Sequence, residues 1–280
     1  MISFNKKQQL GLTLVELMIA MVIGLVLVGG VIQIFAANNQ TYRVTENMSR
    51  VQENGRFALD NLGRIIRLAG FKGDTETSPG AEYVTNTTAS PSVTFTNGQT
   101  VSGIDGGVGG AALDQSDDLF IRYRGASLGS MTDCIGTNIG QGTAFAGNNV
   151  VNRYYVNNGS LMCHSSAAPA VPQPLIDNVV SMQILYGMTT DPAAFHDVQA
   201  ECYLPASAAI GAGTDCTSLN FEQVVSVRIR LLLSTPADNL TADGVVQSII
   251  FDDDGTNDAM VDRRLYRRLT KTISLRNKIL

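Results

Sequence analysis

Residues 11–37 read Gly11-Leu12-Thr13-Leu14-Val15-Glu16-Leu17, then MIAMVIGLVLVGGVIQIFAA as far as Ala37. From Leu17 to Ala37 the only polar side chain is Gln33, and these 21 residues are enough for a membrane-crossing helix. One carboxylate, Glu16, sits near the head of the run. A charge in lipid is costly unless it meets a partner, so Glu16 is a functional candidate. Before Gly11 lies a short polar leader whose Lys6 and Lys7 are the only basic residues ahead of Arg43. The positive-inside bias keeps such a leader cytoplasmic and puts everything past Ala37 outside the cytoplasm.

Two simpler readings fit this segment less well. A secretory signal has an apolar core of about 7 to 15 residues, shorter than this one. A plain uncleaved anchor gives no reason for Gly11 to stand beside Glu16. The arrangement resembles the class III leader of type IV prepilins and pseudopilins, with Gly11 before the cut and Leu12-Thr13-Leu14-Val15-Glu16-Leu17 after it. The resemblance implies cleavage by a prepilin peptidase between Gly11 and Leu12, methylation of the new amino terminus, and an assembly role for Glu16 as fifth mature residue. Most members of that family begin with phenylalanine where this chain has Leu12.

Composition narrows the rest. The chain has 280 residues, enough for a real core once the first 37 are set aside. Its net charge is −5; losing the two leader lysines leaves 18 basic against 25 acidic side chains, a charge of −7. That balance argues against nucleic acid as a partner of the whole molecule. Twenty-seven glycines and no tryptophan fit a loop-rich β domain outside the cytoplasm. Cys134, Cys163, Cys202 and Cys216 form no CxxC pair, and with only His164 and His196 beside them a zinc site is poorly supported. An oxidising compartment favours disulfides, and four cysteines allow three pairings. Cys134–Cys163 and Cys202–Cys216 is the pairing expected here, because each closes a local loop.

The spacing of apolar residues predicts an α+β fold. Val44, Met48, Val51, Gly55, Ala58, Leu62 and Ile65 recur at intervals of three and four, so helix is expected to continue past the membrane until Gly70. Beyond Gly73 short alternating runs take over. Strands are expected at Val93–Phe95, Leu119–Tyr123, Arg153–Val156, Val179–Tyr186, Val224–Leu233, Val246–Phe251 and Leu269–Leu275. The expected organisation is a leader over 1–11, a membrane half of the helix over 12–37, an amphipathic half over 38–70, and a globular domain over 71–280. In that domain the helix packs on a mainly antiparallel sheet with long loops.

Several of these segments are similar to the PilW family of minor pilins. They include Gly55-Arg56-Phe57-Ala58-Leu59, Asp118-Leu119-Phe120-Ile121-Arg122-Tyr123, Leu161-Met162-Cys163, Asp177-Asn178-Val179-Val180 and Thr270-Lys271-Thr272-Ile273-Ser274-Leu275. The resemblance implies a type IV pilin-like fold and a structural rather than enzymatic role. It implies a subunit that primes pilus assembly at or near the fibre tip, anchored once in the inner membrane with its domain in the periplasm. The implied partners are other minor pilins, the major pilin, the prepilin peptidase, the inner-membrane assembly platform and a tip adhesin. A J-type minor pseudopilin of type II secretion and a DNA- or surface-binding tip subunit are the alternatives.

Other features have plainer readings. No hydrolase constellation surrounds His164 or His196. The stretch from Gly103 to Gly110 lacks the P-loop lysine and reads as a flexible turn. Asp252, Asp254 and Asp258 offer calcium-type oxygens, but Gly255 comes too early for an EF-hand, so an acidic solvated turn is the stronger reading. No cofactor is implied. Arg263, Arg264, Arg267, Arg268, Lys271, Arg276 and Lys278 make a basic tail, which strand alternation divides between two faces.

Overall fold

The computed structural model describes residues 13–73, 86–89, 92–96, 98–106, 116–168, 172–190, 199–208, 210–211, 216–241, 244–251, 258–260 and 262–278. Helix α1 runs Leu14–Ile66 without a proline. It ends at Ile66, short of the expected Gly70: Leu68 N bonds Ile65 O and Ala69 N bonds Ile66 O in a tighter turn, and Gly70 follows at φ 76°. Glycine adopts that left-handed conformation without strain. The chain divides into two compact units, Met1–Glu46 and Asn47–Leu280.

In the second unit the face of α1 that carries Val51, Gly55, Ala58, Leu62 and Ile65 is buried. Arg56, Asp60 and Arg64 on the other face are exposed. Among the described residues thirteen strands accompany the helix, and every pair of them is antiparallel. A five-stranded sheet has the order β3 (Val101–Ile104), β4 (Asp118–Arg124), β5 (Asn149–Asn157), β6 (Ser160–Ser165), β7 (Gln173–Asp177). A four-stranded sheet has the order β13 (Tyr266–Ser274), β10 (Val224–Ser234), β8 (Val179–Met188), β9 (Cys202–Leu204). Two ribbons, β1 (Asn86–Ala89) with β2 (Ser92–Phe95) and β11 (Gln247–Ile249) with β12 (Asp258–Met260), complete the set. The main core joins Leu62 and Ile65 of α1 to Ile121, Tyr154, Ile184, Ile229, Leu231 and Ile273. Alternation along β10 places Val227, Ile229, Leu231 and Leu233 in that core, while Arg228 and Arg230 are only half-buried.

The expected single sheet is therefore two, and the seam between them has a physical cause. Strand β9 reaches β8 only at Tyr186–Met188. Farther back, the edge of β8 is covered by side chains: Met182 N bonds Ser116 Oγ (3.0 Å) and Ile184 N bonds Asp117 Oδ2 (2.6 Å), while Asp117 N bonds Met182 O (2.8 Å). A two-residue stitch thus replaces a strand.

Six described strands lie outside the expected runs, the ribbon strands β1 and β12 among them, and the other four do so for identifiable reasons. Strand β7 holds Pro174, which ordinarily demotes a run to an edge, and its pairing with β6 carries a register shift. Strand β6 mixes Ser, Cys and His with its apolar residues, yet buries alternate positions. Strand β9 has only three residues. Strand β3 corrects the reading of the glycine-rich stretch as a turn: its Gly103 lies against the Tyr186 ring and hydroxyl, where a Cβ has no room. Residues 107–110 of that stretch lie outside the described set.

Candidate assembly site

The head of α1 is built by local hydrogen bonding. Thr13 Oγ1 accepts from Glu16 N at 3.3 Å, and Glu16 Oε2 accepts from Thr13 N at 3.3 Å and from Thr13 Oγ1 at 3.2 Å. This is a reciprocal capping box, which satisfies two of the backbone donors that every helix start leaves open. Its sequence signal is the spacing Thr13-x-x-Glu16 ahead of an apolar run. Glu16 thus has a local role as well as being the lone carboxylate of the apolar run. The negative charge also sits favourably against the positive end of the helix dipole.

Beyond Glu16 the helix is apolar and uncovered. Leu14, Val26 and Phe35 are 75%, 71% and 67% exposed, and α1 is long and apolar enough to cross a membrane. Such a surface in water would be a large aggregation liability, so lipid or other helices must cover it. Gly11 and Leu12 lie outside the described residues.

In the second unit, two disulfides tie loops to strands. Cys134–Cys163 joins the long β4–β5 connection to β6, with Cα atoms 6.3 Å apart. Cys202–Cys216 joins β9 to the segment ahead of Leu219, with Cα atoms 5.9 Å apart. Asp252 and Asp254 lie outside the described residues, as does the side chain of Asp258 and the whole of His196. Among the described residues, no three His, Cys, Asp or Glu side chains gather in a way that would hold a metal ion.

Two buried polar groups were missed by sequence reasoning. Asp117 is 3% exposed and accepts from Gly106 N (3.1 Å) as well as Ile184 N. Burial pushes its carboxyl up to about 7 despite those two donors, and the neighbouring Asp105 and Asp118 push in the same direction. Arg122 is fully buried on β4; its guanidinium donates to the carbonyls of Thr96 and Gln99 and lies 4.7 Å over the Phe95 ring. Neither leaves a signal in local sequence, because each depends on partners from distant strands.

The basic tail is dispersed. Arg263 Nε donates to Thr241 O (2.9 Å), Arg268 Nη1 to Ile250 O (2.6 Å), and Lys271 Nζ meets Asp60 Oδ1. Asn277 Nδ2 donates to the carbonyls of Arg67 (2.8 Å) and Ala69 (3.3 Å), capping the end of α1 from the far end of the chain.

Two family models match the chain. One, described as "Prokaryotic N-terminal methylation motif", covers residues 6–32; the other, "Type IV Pilus-assembly protein W", covers residues 148–277. Among solved structures, a type IV-like pilin from Thermus thermophilus aligns with 82% of this chain and 99% of its own, at 13% identity and a TM-score of 0.42. No curated protein matched. A methylation motif on an apolar helix, leading into a helix-on-sheet domain, defines a type IV pilin-like protein. Its four-stranded sheet and the last strands of the five-stranded one fall within the PilW match, so the protein is type IV pilin-like and its residues 148–277 match the PilW family.

Proposed function

We propose that this chain is a minor pilin that primes type IV pilus assembly and resides at or near the fibre tip. Its work is self-association in a membrane. The observation that carries this reading is Glu16, a lone carboxylate in the first turn of an uncovered apolar helix. In the proposed scheme a peptidase cuts between Gly11 and Leu12, and Glu16 of one subunit meets the new positive terminus of a neighbour. The ion pair removes two buried charges from lipid at once and sets the axial offset between helices. The helix anchors the subunit in the inner membrane and the domain stands in the periplasm, among other pilins and the assembly platform.

Replacing Glu16 tests the scheme. Removing one partner of a buried pair typically costs about 3 to 5 kcal/mol. Glu16→Ala should leave the domain folded while reducing co-purification with other minor pilins and the number of surface pili. Glu16→Gln, which keeps a hydrogen-bonding side chain, should retain part of both. Unchanged complexes and pilus counts with Glu16→Ala would exclude the carboxylate from assembly. Intact-mass analysis of the membrane-extracted protein tests the cleavage: an uncut chain in cells containing the peptidase would remove the basis for processing at Gly11.

A further inference from the structure

The geometry points to the outer edge of β13 as a strand-docking site for an extended, acidic segment of a partner protein. The observation does not depend on the pilin assignment. Strand β13 ends the four-stranded sheet and, among the described residues, pairs only with β10, over nine residues from Tyr266 to Ser274. Two flanking bonds fix which way its main chain points. Thr235 N bonds Leu265 O, and Leu275 N bonds Val225 O. In an antiparallel ladder a residue directs both its N–H and C=O to one side and the next residue directs both to the other. Odd-numbered residues of β13 therefore face β10. The main-chain groups of Tyr266, Arg268, Thr270, Thr272 and Ser274 face outward, and among the described residues none of them is taken by another backbone group.

The other sheet edges are short or blunted. The edge of β8 is stitched by Ser116 and Asp117, β9 is three residues long, and β7 carries Pro174. Uncovered edges are usually protected against self-pairing by charge. Here the protection is of one sign, from Arg267 and Arg268 on the strand itself, Lys271 being paired with Asp60. A second copy of β13 placed alongside would set cation against cation. A strand with alternate Asp or Glu would find complementary charge at the same positions.

A groove beside the edge supplies room for that strand's side chains. It has a volume of about 630 Å³ and is lined by Ser248, Ile249 and Ile250 on one side and Tyr266, Arg267 and Arg268 on the other. Ile249 and Ile250 give the groove an apolar wall, Ile250 being 46% exposed. Main-chain pairing along an open edge with side chains read by a flanking pocket is a recurring mode of peptide recognition.

The test uses the full chain in detergent micelles and a labelled acidic peptide, Val-Asp-Val-Glu-Val-Asp-Val, with fluorescence anisotropy as readout. The lysine counterpart should bind at least tenfold more weakly. An acidic peptide N-methylated at alternate residues, which cannot form the ladder on its paired side, should lose binding by the same factor. Thr270→Pro removes one outward N–H while leaving the β10 ladder intact, and should weaken the acidic peptide at least tenfold. Should that variant fail to fold, Arg268→Glu decides: it should reduce the preference for the acidic peptide over the lysine peptide. Equal binding of N-methylated and unmodified peptides, or of acidic and lysine peptides, would overturn the proposal. Concentration-dependent dimerisation abolished by Thr270→Pro would overturn it too, assigning the edge to a second copy.

Discussion

Lys271 Nζ lies 2.5 Å from Asp60 Oδ1, joining the last strand to the exposed face of the helix across 211 positions of sequence. Both a hydrogen bond and the charge of Lys271 hold the Asp60 carboxyl below its usual range. The pair sits at the rim, however, where solvent and salt screen it. The helix is held by what lies beneath, where Leu62, Ile65 and Ile66 are fully buried.

Asp60→Asn is therefore expected to shift the thermal midpoint only slightly, and the shift should shrink further in high salt. Because the folded-state pKa is lowered, the pair's contribution is present above the ordinary carboxylate range and lost as the pH falls through it. Leu62→Ala removes packing that no neighbour can replace and should cost about 2 to 5 kcal/mol by denaturant unfolding. A larger loss from Asp60→Asn than from Leu62→Ala would reverse this ranking.

Two helix glycines should respond oppositely. A Cβ on Gly55 meets Leu269 Cδ1 in direct overlap and Leu233 Cδ1 at 3.2 Å, so helix and sheet approach closely there. Gly55→Val should lower the melting temperature by forcing both leucines aside. At Gly63 the nearest atoms to a Cβ are Lys271 Nζ at 3.6 Å and Ile273 at 3.8 Å, ordinary contacts. Gly63→Ala should raise stability by up to about 1 kcal/mol, the usual helical advantage of alanine over glycine.

Cys202 and Cys216 close a loop of separation 14. A crosslink of that span stabilises by about 3 kcal/mol through the unfolded chain, in the entropic account. Cys202→Ser with Cys216→Ser should destabilise the domain by a similar amount in thermal melts without reductant. Non-reducing peptide mapping of the native chain should recover Cys134 with Cys163 and Cys202 with Cys216. Crossed peptides would contradict that connectivity.

Asp117 makes stability depend on pH. Burial raises its folded-state pKa to about 7 from an ordinary 3.8, so the folded chain holds this proton more tightly than the unfolded one. The resulting stabilisation is full below about pH 4 and lost as the pH rises toward about 7. Asp117→Asn should flatten the profile across that window, while lowering stability overall because one of the donors from Gly106 and Ile184 loses its acceptor. A profile of equal slope in both proteins would show that other groups govern it.

Much of this architecture follows from the chain's own periodicities. Gln33 alone interrupting an apolar run, and Val51, Ala58, Leu62 and Ile65 at helical spacing, are local patterns, and α1 with its buried face follows from them. The alternation of Val227, Ile229 and Leu231 with Arg228 and Arg230 likewise placed β10, because a side-chain period of two sends every second residue to the same face. Other features required the tertiary structure. The Ser116–Asp117 stitch to β8, the buried Arg122 and the Asn277 cap each unite groups from 23 to 210 positions apart, a distance over which spacing carries no information. Gly103 could be read as a turn until Tyr186 came to rest against it. The basic tail shows the division most clearly. Alternation along one strand dictates that Arg267 and Arg268 point to opposite faces, but only the register with β10 decides which main-chain groups are left facing outward.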